Sequence, residues 1–365
     1  MNHEGVTKNA LGIAFGANIQ YIGMKCATKA GLRVHVLGSR RASALRESRY
    51  CKGFTLGPGY SDFSSQKIQT EWLEKIEECI RREKIDLLIA LDIEATELLA
   101  RLAGQLSVPN LPINSLEALD LLNSKWNFGK LCEELGIRTP RSWRFDDKAS
   151  LLEALERDDF PEKLILKPIA AEGGIGVIPF AKKHAGKTLE AVEYAPLLLQ
   201  EFIEGSHIGL SVFTSHGKTI VSVVHQIVNQ RFVFSQHQEY QQFGCRINEH
   251  VKASGIMNYD AQITPEGLIY LLECNPRGYF TMDYTALAGV NMIEVAMQDW
   301  SNFSGPPMTV ADAAFTAPIG CLKRILRVKP TTRNDRRMLL EEIRDPVIFV
   351  KRTIARLRSR GTGWA

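Results

Sequence analysis

The first third of the chain alternates short apolar segments with amphipathic helical segments, and this alternation restricts the fold more than any other feature. The patterns "ALGIAFGA" (10–17) and "RVHVLG" (33–38) indicate strands, and the segment 19–31 between them has helical spacing. A helix near 67–83 followed by a strand at 85–92 continues the pattern. Strands that alternate with helices pair in parallel, so we predict a small doubly wound parallel sheet.

Composition and simple motifs exclude several classes of protein. With 365 residues, 45% of them apolar and 24% charged, the chain is typical of a globular protein with two or three packed units. Gly12, Gly16 and Gly23 do not form G-x-G-x-x-G, which disfavours dinucleotide binding by the first unit. No signal-peptide pattern and no run of about 18 apolar residues occurs, so we expect a cytoplasmic protein.

A glycine-rich loop lies between two apolar segments in "KLILKPIAAEGGIGVIPF" (163–180). The first segment ends at Lys167, and the loop carries Gly173, Gly174 and Gly176. Glycines let backbone N–H groups approach an anionic ligand closely, because no Cβ stands in the way. A plain turn is the alternative interpretation, but a lysine at the end of a buried strand also favours an anionic partner.

A second hairpin is predicted from "IMNYDAQIT" (256–264) and "LIYLLECN" (268–275). Glu273 and Asn275 are two residues apart and share one face of their strand, and Asp260 can lie opposite them. Carboxylate and amide oxygens suit Mg²⁺, whereas a solvated strand end is the alternative. Arg277 follows closely and suits a phosphate or a carboxylate.

Taken together, the order of these features resembles the ATP-grasp superfamily, nearest to its carbamoyl-phosphate-synthase and biotin-carboxylase-like branch. The features are Lys125, Lys167 with its glycine loop, "LLLQEFIEG" and "YDAQITPEGLIYLLECNPRG". The resemblance covers about 115–300 and implies an α/β plus α+β fold. It implies a pre-ATP-grasp α/β domain (1–114), an ATP-grasp domain (115–305) and a C-terminal extension (306–365).

The resemblance also implies roles in nucleotide binding. Lys125 and Lys167 would hold the ATP phosphates, and the loop with Gly173, Gly174 and Gly176 would fold over them as a lid. The segment that contains Gln200, Glu201 and Ile203 would line adenine, and His207 falls near the expected ribose contact.

The metal-binding and catalytic residues are implied in the same way. Asp260, Glu273 and Asn275 would bind Mg²⁺ or Mn²⁺ between the phosphates. Arg277 and Lys167 would act in catalysis, with Arg277 stabilising a phosphorylated intermediate.

The activity implied by the resemblance is ATP-dependent ligation of a small carboxylate and a small amine, through an acyl phosphate, with release of ADP and phosphate. Two alternatives stay open: an ATP-binding regulatory or scaffold protein without turnover, and an ATP-grasp phosphotransferase. A homodimer is compatible with the resemblance. No internal repeat is present, which disfavours carbamoyl phosphate synthesis itself.

The C-terminal segment is strongly basic, with 13 Lys and Arg against 4 Asp and Glu from residue 321 to residue 365. Residues 345–365 have the pattern of a basic amphipathic helix. Such a helix suits weak contact with an anionic membrane or an acidic partner, and packing on the body of the protein is the alternative. Binding to nucleic acid is not expected.

Overall fold

The computed structural model describes residues 8–59, 62–157, 159–170 and 174–359. Three sheets organise these residues: a four-stranded parallel sheet, a four-stranded antiparallel sheet and a six-stranded antiparallel sheet. The combination confirms the predicted α/β plus α+β fold class.

The N-terminal part is the predicted parallel sheet, in the order β3-β2-β1-β4. Its strands are β1 (Asn9–Ala14), β2 (Arg33–Gly38), β3 (Cys51–Leu56) and β4 (Leu87–Ala90). The helices that connect and follow them are α1 (Asn18–Lys29), α2 (Gln66–Glu83) and α3 (Ile93–Arg101). In α2 the side chains of Trp72, Ile76, Cys79 and Ile80 are buried, and their spacing places them on the face that packs on the sheet.

The second sheet carries the glycine loop. Its strands are β5 (Ser142–Phe145), β6 (Leu164–Pro168), β7 (Ile178–Phe180) and β8 (Leu197–Glu201), in the order β5-β8-β6-β7. The accompanying helices are α4 (Leu116–Asn123), α5 (Lys125–Glu134), α6 (Lys148–Arg157) and α7 (Ala185–Glu190). Because β6 and β7 pair antiparallel on either side of the loop, the predicted hairpin-like flap is confirmed.

The six-stranded sheet forms the centre of the molecule, in the order β13-β12-β9-β10-β11-β14. Its strands are β9 (Ser206–Ser215), β10 (Lys218–Val228), β11 (Arg231–Ser235), β12 (Gly255–Ile263), β13 (Ile269–Asn275) and β14 (Ala314–Thr316). The helices of this region are α8 (Gln238–His250), α9 (Met282–Leu287) and α10 (Met292–Ala296). Side chains of α5 and α8 pack with this sheet in one buried apolar core that includes Phe128, Tyr240 and Tyr259.

The C-terminal region consists of α11 (Pro318–Leu326), α12 (Arg333–Ile343) and α13 (Pro346–Ser359). The basic helix predicted for 345–365 is present as α13, and residues 360–365 lie outside the described part. Among the described helices, none is both long and apolar enough to cross a bilayer. Strand β14 lies beyond residue 305 yet pairs with β11. The predicted boundaries after residues 114 and 305 stay predictions.

Candidate functional site

A cavity of about 430 Å³ lies where the glycine-loop sheet faces the six-stranded sheet. Side chains from β6, β9, β12, β13 and the start of α5 line it. The predicted site residues that line it are Lys125, Lys167, Gly174, His207, Asp260, Glu273, Asn275 and Arg277. The fold therefore brings together, around one space, residues that are up to 152 positions apart in the sequence.

The hairpin of β12 and β13 places the predicted metal ligands opposite one another. Asp260 pairs with Glu273, and Asn258 pairs with Asn275, in the antiparallel register. Directly opposite residues in an antiparallel pair have side chains on the same face, so these four side chains form one polar patch. A register irregularity follows Asp260, where the β12 strand continues opposite Leu271.

Hydrogen bonds fix the carboxylate of Asp260 within this patch. Its Oδ1 accepts from Asn258 Nδ2 at 3.0 Å, and its Oδ2 accepts from Asn275 Nδ2 at 2.9 Å. His207 Nε2 lies 3.1 Å from Oδ1. The hydrogen bond to Asp260 raises the pKa of His207 above its ordinary value, although burial opposes this shift. A cationic imidazole beside the carboxylate is therefore favoured.

Arg277 extends the same network towards the interior. Its Nη2 donates to Asn275 Oδ1 at 2.9 Å, and its Nη1 donates to the Gly278 carbonyl at 2.8 Å. Only 5% of the residue is exposed, although it lines the cavity. A planar guanidinium that is held in this way is oriented before any anion arrives.

Two buried lysines also line the cavity. Lys125, the first residue of α5, places Nζ 3.1 Å from Glu273 Oε2. Lys167 is 4% exposed and, within the described part of the chain, has no carboxylate within 4 Å of its amine. Burial lowers the pKa of Lys167 to about 8; Glu273 opposes the shift and Lys125 adds to it. A buried ammonium whose positive charge has so little negative charge close to it binds phosphate strongly.

The glycine loop approaches the cavity. Gly174 lines the cavity, and both Gly174 and Gly176 have positive φ, at 74° and 75°. A Cβ on Gly176 would lie 3.0 Å from the ring of Pro168, so a side chain there would crowd the strand end next to Lys167. Gly173 lies outside the described residues, and its predicted role in the lid stays a prediction.

The predicted adenine-binding segment lies outside the lining of this cavity. Gln200 is buried and donates from Nε2 to Ser142 Oγ at 2.8 Å, and Glu201 pairs with Arg141 at 3.1 Å. Ile203 is half-buried in the connection that follows β8. Their contact with adenine stays a prediction.

Three buried polar residues at the site were not predicted. Ser211 Oγ lies 2.9 Å from His225 Nε2 and 3.0 Å from Asn258 Oδ1. Ser211 and His225 therefore hold in place the side-chain amide of Asn258, which donates to Asp260. Burial lowers the pKa of His225 to about 4, which keeps its imidazole neutral. Asn258 could have been found, because it lies two residues before Asp260 on the same strand face.

The donor set fits a hard cation. Asp260, Glu273 and Asn275 offer carboxylate and amide oxygens in a cavity that two lysines suited to phosphate also line. Among the residues that the structure describes, no cluster of three His, Cys, Asp or Glu side chains could hold a metal ion. The set thus suits Mg²⁺, which commonly keeps waters and takes its remaining ligands from substrate phosphates.

Comparison with known proteins relates part of the chain to a family and the whole chain to a known fold. Residues 193–315 match the family model described as "ATP-grasp in the biosynthetic pathway with Ter operon". The carboxyaminoimidazole ribonucleotide synthase of Aspergillus clavatus, solved in complex with ATP, superposes with a TM-score of 0.65. It is 14% identical, and the match covers 95% of this chain and 99% of that one. The chain therefore matches an ATP-grasp family over residues 193–315 and shares its overall fold with this solved structure.

Two further proteins are similar to this chain. The L-amino acid ligase of Bacillus licheniformis has a TM-score of 0.61 at 16% identity, over 84% of this chain and 79% of that chain. The carbamoyl phosphate synthase large chain of Thermomicrobium roseum is 22% identical over 220 residues, which are 54% of this chain. This chain spans about one fifth of the length of that relative. The resemblance to ATP-grasp proteins that the sequence predicted is confirmed.

Proposed function

We propose that this ATP-grasp protein is an ADP-forming ligase that activates a carboxylate as an acyl phosphate and joins it to an amine. The observation that carries the proposal is the convergence of Lys125, Lys167, Glu273 and Arg277 on the 430 Å³ cavity, in a chain with this fold. This arrangement combines phosphate-binding cations with metal-binding oxygens, as phosphoryl transfer requires. Neither a serine nor a cysteine nucleophile is needed, because the chemistry depends on alignment and charge neutralisation.

Lys125 and Lys167 would bind the phosphates of ATP. Burial makes each ammonium a strong partner for an anion, and the fixed positions of α5 and β6 orient both groups. The loop with Gly174 would close over the phosphates, since its positive-φ glycines leave backbone N–H groups accessible.

Asp260, Glu273 and Asn275 would hold Mg²⁺ or Mn²⁺. When bound, the ion would neutralise charge on the phosphates that these residues face. The hydrogen bonds from Asn258 and Asn275 orient the Asp260 carboxylate for this task. His207, which lies against the same carboxylate, would be displaced or would contact the nucleotide.

The reaction has two steps. A carboxylate oxygen of the acid attacks the γ-phosphorus of ATP, and the bond to the β-phosphate oxygen breaks with release of ADP. The amine nitrogen then attacks the acyl carbon, and the carbon–oxygen bond to phosphate breaks. Arg277 would bind the acid and then stabilise the acyl phosphate, because its guanidinium is already oriented beside Asn275.

The test is hydroxamate formation by purified protein with ATP, Mg²⁺, hydroxylamine and a panel of small carboxylic acids. Hydroxylamine intercepts an acyl phosphate, so a hydroxamate with one acid identifies both the chemistry and that substrate. Glu273→Gln removes a metal-binding carboxylate and serves as the inactive variant, whereas Glu266→Gln changes an exposed acid in the turn of the same hairpin.

Each alternative function predicts a different outcome. ADP release without a hydroxamate, but with a phosphorylated acceptor, would identify a phosphotransferase. ATP binding without ADP release on any acid would support a regulatory or scaffold protein. Either result would overturn the proposed ligase activity.

A further inference from the structure

A second chamber of about 290 Å³ adjoins the 430 Å³ cavity of the candidate site, which we call the nucleotide cavity. The two spaces share part of their lining, namely Ile227, Phe232, Phe280 and Thr281. Two of these shared side chains are apolar and exposed, since Ile227 is 72% and Phe280 is 48% exposed. Exposed apolar side chains at the junction of two cavities are suited to contact with a ligand that spans both.

The walls of the second chamber come from distant parts of the chain. The sheet contributes Phe232, and the segment that follows β13 contributes Phe280 and Tyr284. The C-terminal helices close the other side, with Met338 from α12 and Phe349 from α13. The basic extension beyond residue 305 therefore forms part of an internal cavity next to the candidate active site.

The charge of this chamber differs from that of the nucleotide cavity. Among the described residues that line it, the charged side chains are Asp283 and Glu342, and both are acidic. The nucleotide cavity instead presents Lys125, Lys167 and Arg277. An anionic acid or phosphate is thus favoured in the first space, and a cation is favoured in the second.

Asp283 has hydrogen-bonding capacity that the described residues do not use. Its Oδ2 pairs with Lys25 Nζ at 2.7 Å, whereas its Oδ1 is buried and has no hydrogen-bond partner within the described part of the protein. Asp283 is only 4% exposed and lines the chamber. A buried carboxylate oxygen without a donor costs free energy that a ligand N–H group could recover.

The ion pair between Asp283 and the neighbouring Lys25 leaves the second carboxylate oxygen of Asp283 able to accept a hydrogen bond. It is 1% exposed and contacts both Asp283 and Glu342. Burial alone would lower the pKa of Lys25, but the two carboxylates outweigh it and raise the pKa, so the lysine stays charged. One ammonium is thereby shared between two acids, and Asp283 keeps its second oxygen for another donor.

We propose that the second chamber binds the amine substrate, as a primary amine with an aromatic or apolar body and no carboxylate of its own. The proposal rests on the ligase function proposed above and specifies its acceptor. The ammonium would face Asp283, and the body would pack between Phe232, Tyr284 and Phe349. An amino acid would be disfavoured, because its carboxylate would meet the acidic wall.

The amine enters as an ammonium ion and must lose charge before it reacts. In the coupling step its nitrogen loses two protons and forms one bond to the acyl carbon. One proton goes to solvent, and the other is transferred to the departing phosphate, which leaves as hydrogen phosphate. The shared residues Phe280 and Thr281 lie on the route that the nitrogen would take from this chamber to the acyl phosphate.

The first experiment measures binding of phenethylamine to the full-length protein by titration calorimetry, without ATP. The alcohol 2-phenylethanol is the matched ligand, since a hydroxyl replaces the ammonium on the same body. Phe349→Ala is the main variant, and Val350→Ala is its control, because Val350 is 52% exposed on the same helix and does not line the chamber. We expect Phe349→Ala to weaken phenethylamine binding about tenfold, as for the loss of one aromatic contact.

Asp283→Asn tests the charge. It should abolish the preference of the wild-type protein for phenethylamine over 2-phenylethanol, which we expect to be about tenfold or more. If this variant fails to fold because Lys25 loses a partner, the comparison of Phe349→Ala with Val350→Ala still decides the proposal. Equal affinities of those two variants for phenethylamine would overturn it.

A kinetic measurement separates this proposal from the ligase activity. Hydroxamate formation first identifies the acid. The quantity measured is then the ratio of the KM for phenethylamine to the KM for that acid. This ratio should rise about tenfold in Phe349→Ala and stay at the wild-type value in Val350→Ala. Hydroxamate formation together with an unchanged ratio would refute the amine chamber and leave the ligase intact. Absence of any hydroxamate, with phenethylamine binding that depends on Phe349, would refute the ligase and leave the chamber.

Discussion

The affinity for ATP should fall as the pH rises from 7 to 9, because Lys167 loses its charge in this range. Burial lowers the pKa of Lys167 to about 8 in the protein without nucleotide. The protonated amine is the form that attracts phosphate, so deprotonation removes one of three buried cations from the nucleotide cavity.

The size of the effect follows from this pKa. With a pKa of about 8, roughly nine tenths of Lys167 is protonated at pH 7 and roughly one tenth at pH 9. If only the protonated form binds, the Kd should rise about tenfold over this range, which corresponds to about 1.4 kcal/mol. The phosphates of ATP carry more negative charge at the higher pH, so their own ionisation cannot produce this weakening in a cationic site.

The assay is calorimetric titration with a non-hydrolysable ATP analogue and Mg²⁺ at pH 7, 8 and 9. Lys167→Arg keeps a positive charge that does not titrate in this range, and its Kd should change less than about twofold. Lys163→Arg is the matched control, because Lys163 is exposed just before the same strand, and it should retain the tenfold dependence. Equal pH dependence of the wild-type protein and Lys167→Arg would refute the assignment to Lys167.

Three further predictions concern catalysis and stability. Glu273→Gln should lower hydroxamate formation at least about 100-fold. The variant should lose some thermal stability with the Lys125 pair but keep a cooperative unfolding transition above the assay temperature, which separates loss of the proposed metal ligand from unfolding. Lys25→Met should lower the free energy of unfolding in urea by about 3–5 kcal/mol, because two buried carboxylates lose a cation. The control variant Lys29→Met breaks a more exposed ion pair and should cost less than about 1 kcal/mol. Gly209→Ala should lower the free energy of unfolding in urea by about 1–3 kcal/mol, because a Cβ would lie 2.2 Å from a ring carbon of His225. An unchanged urea midpoint would contradict this close packing.

The placement of Asp260, Glu273 and Asn275 together on one side of the cavity was predictable because its geometry is local. A short turn joins β12 to β13, so the sequence distance between Asp260 and Glu273 determines which residues face each other. The alternation of strand side chains then places Asn275 on the same face. Lys167 was predictable for a similar reason, since a lysine at the end of a buried apolar strand needs an anionic partner.

The second chamber could not be predicted because its geometry depends on distant contacts. Phe349 and Phe232 line one cavity only after α13 packs on α12 and α12 packs on β14, and nothing local in either segment specifies the other. The sequence left packing of the basic C-terminal helix on the body of the protein open, but it did not show that Phe349 of α13 would line a cavity. Apolar residues at helical spacing show that a face is buried without showing which partner covers it.

The buried contact between Lys25 and Glu342 also has a consequence for protein synthesis. The two residues are 317 positions apart, and Lys25 meets its other partner, Asp283, 258 positions later in the chain. During translation, α1 therefore leaves the ribosome long before either carboxylate exists. An unpaired lysine cannot be buried without a large desolvation cost, so the face of α1 that carries Lys25 must stay hydrated until α9 and α12 have been made.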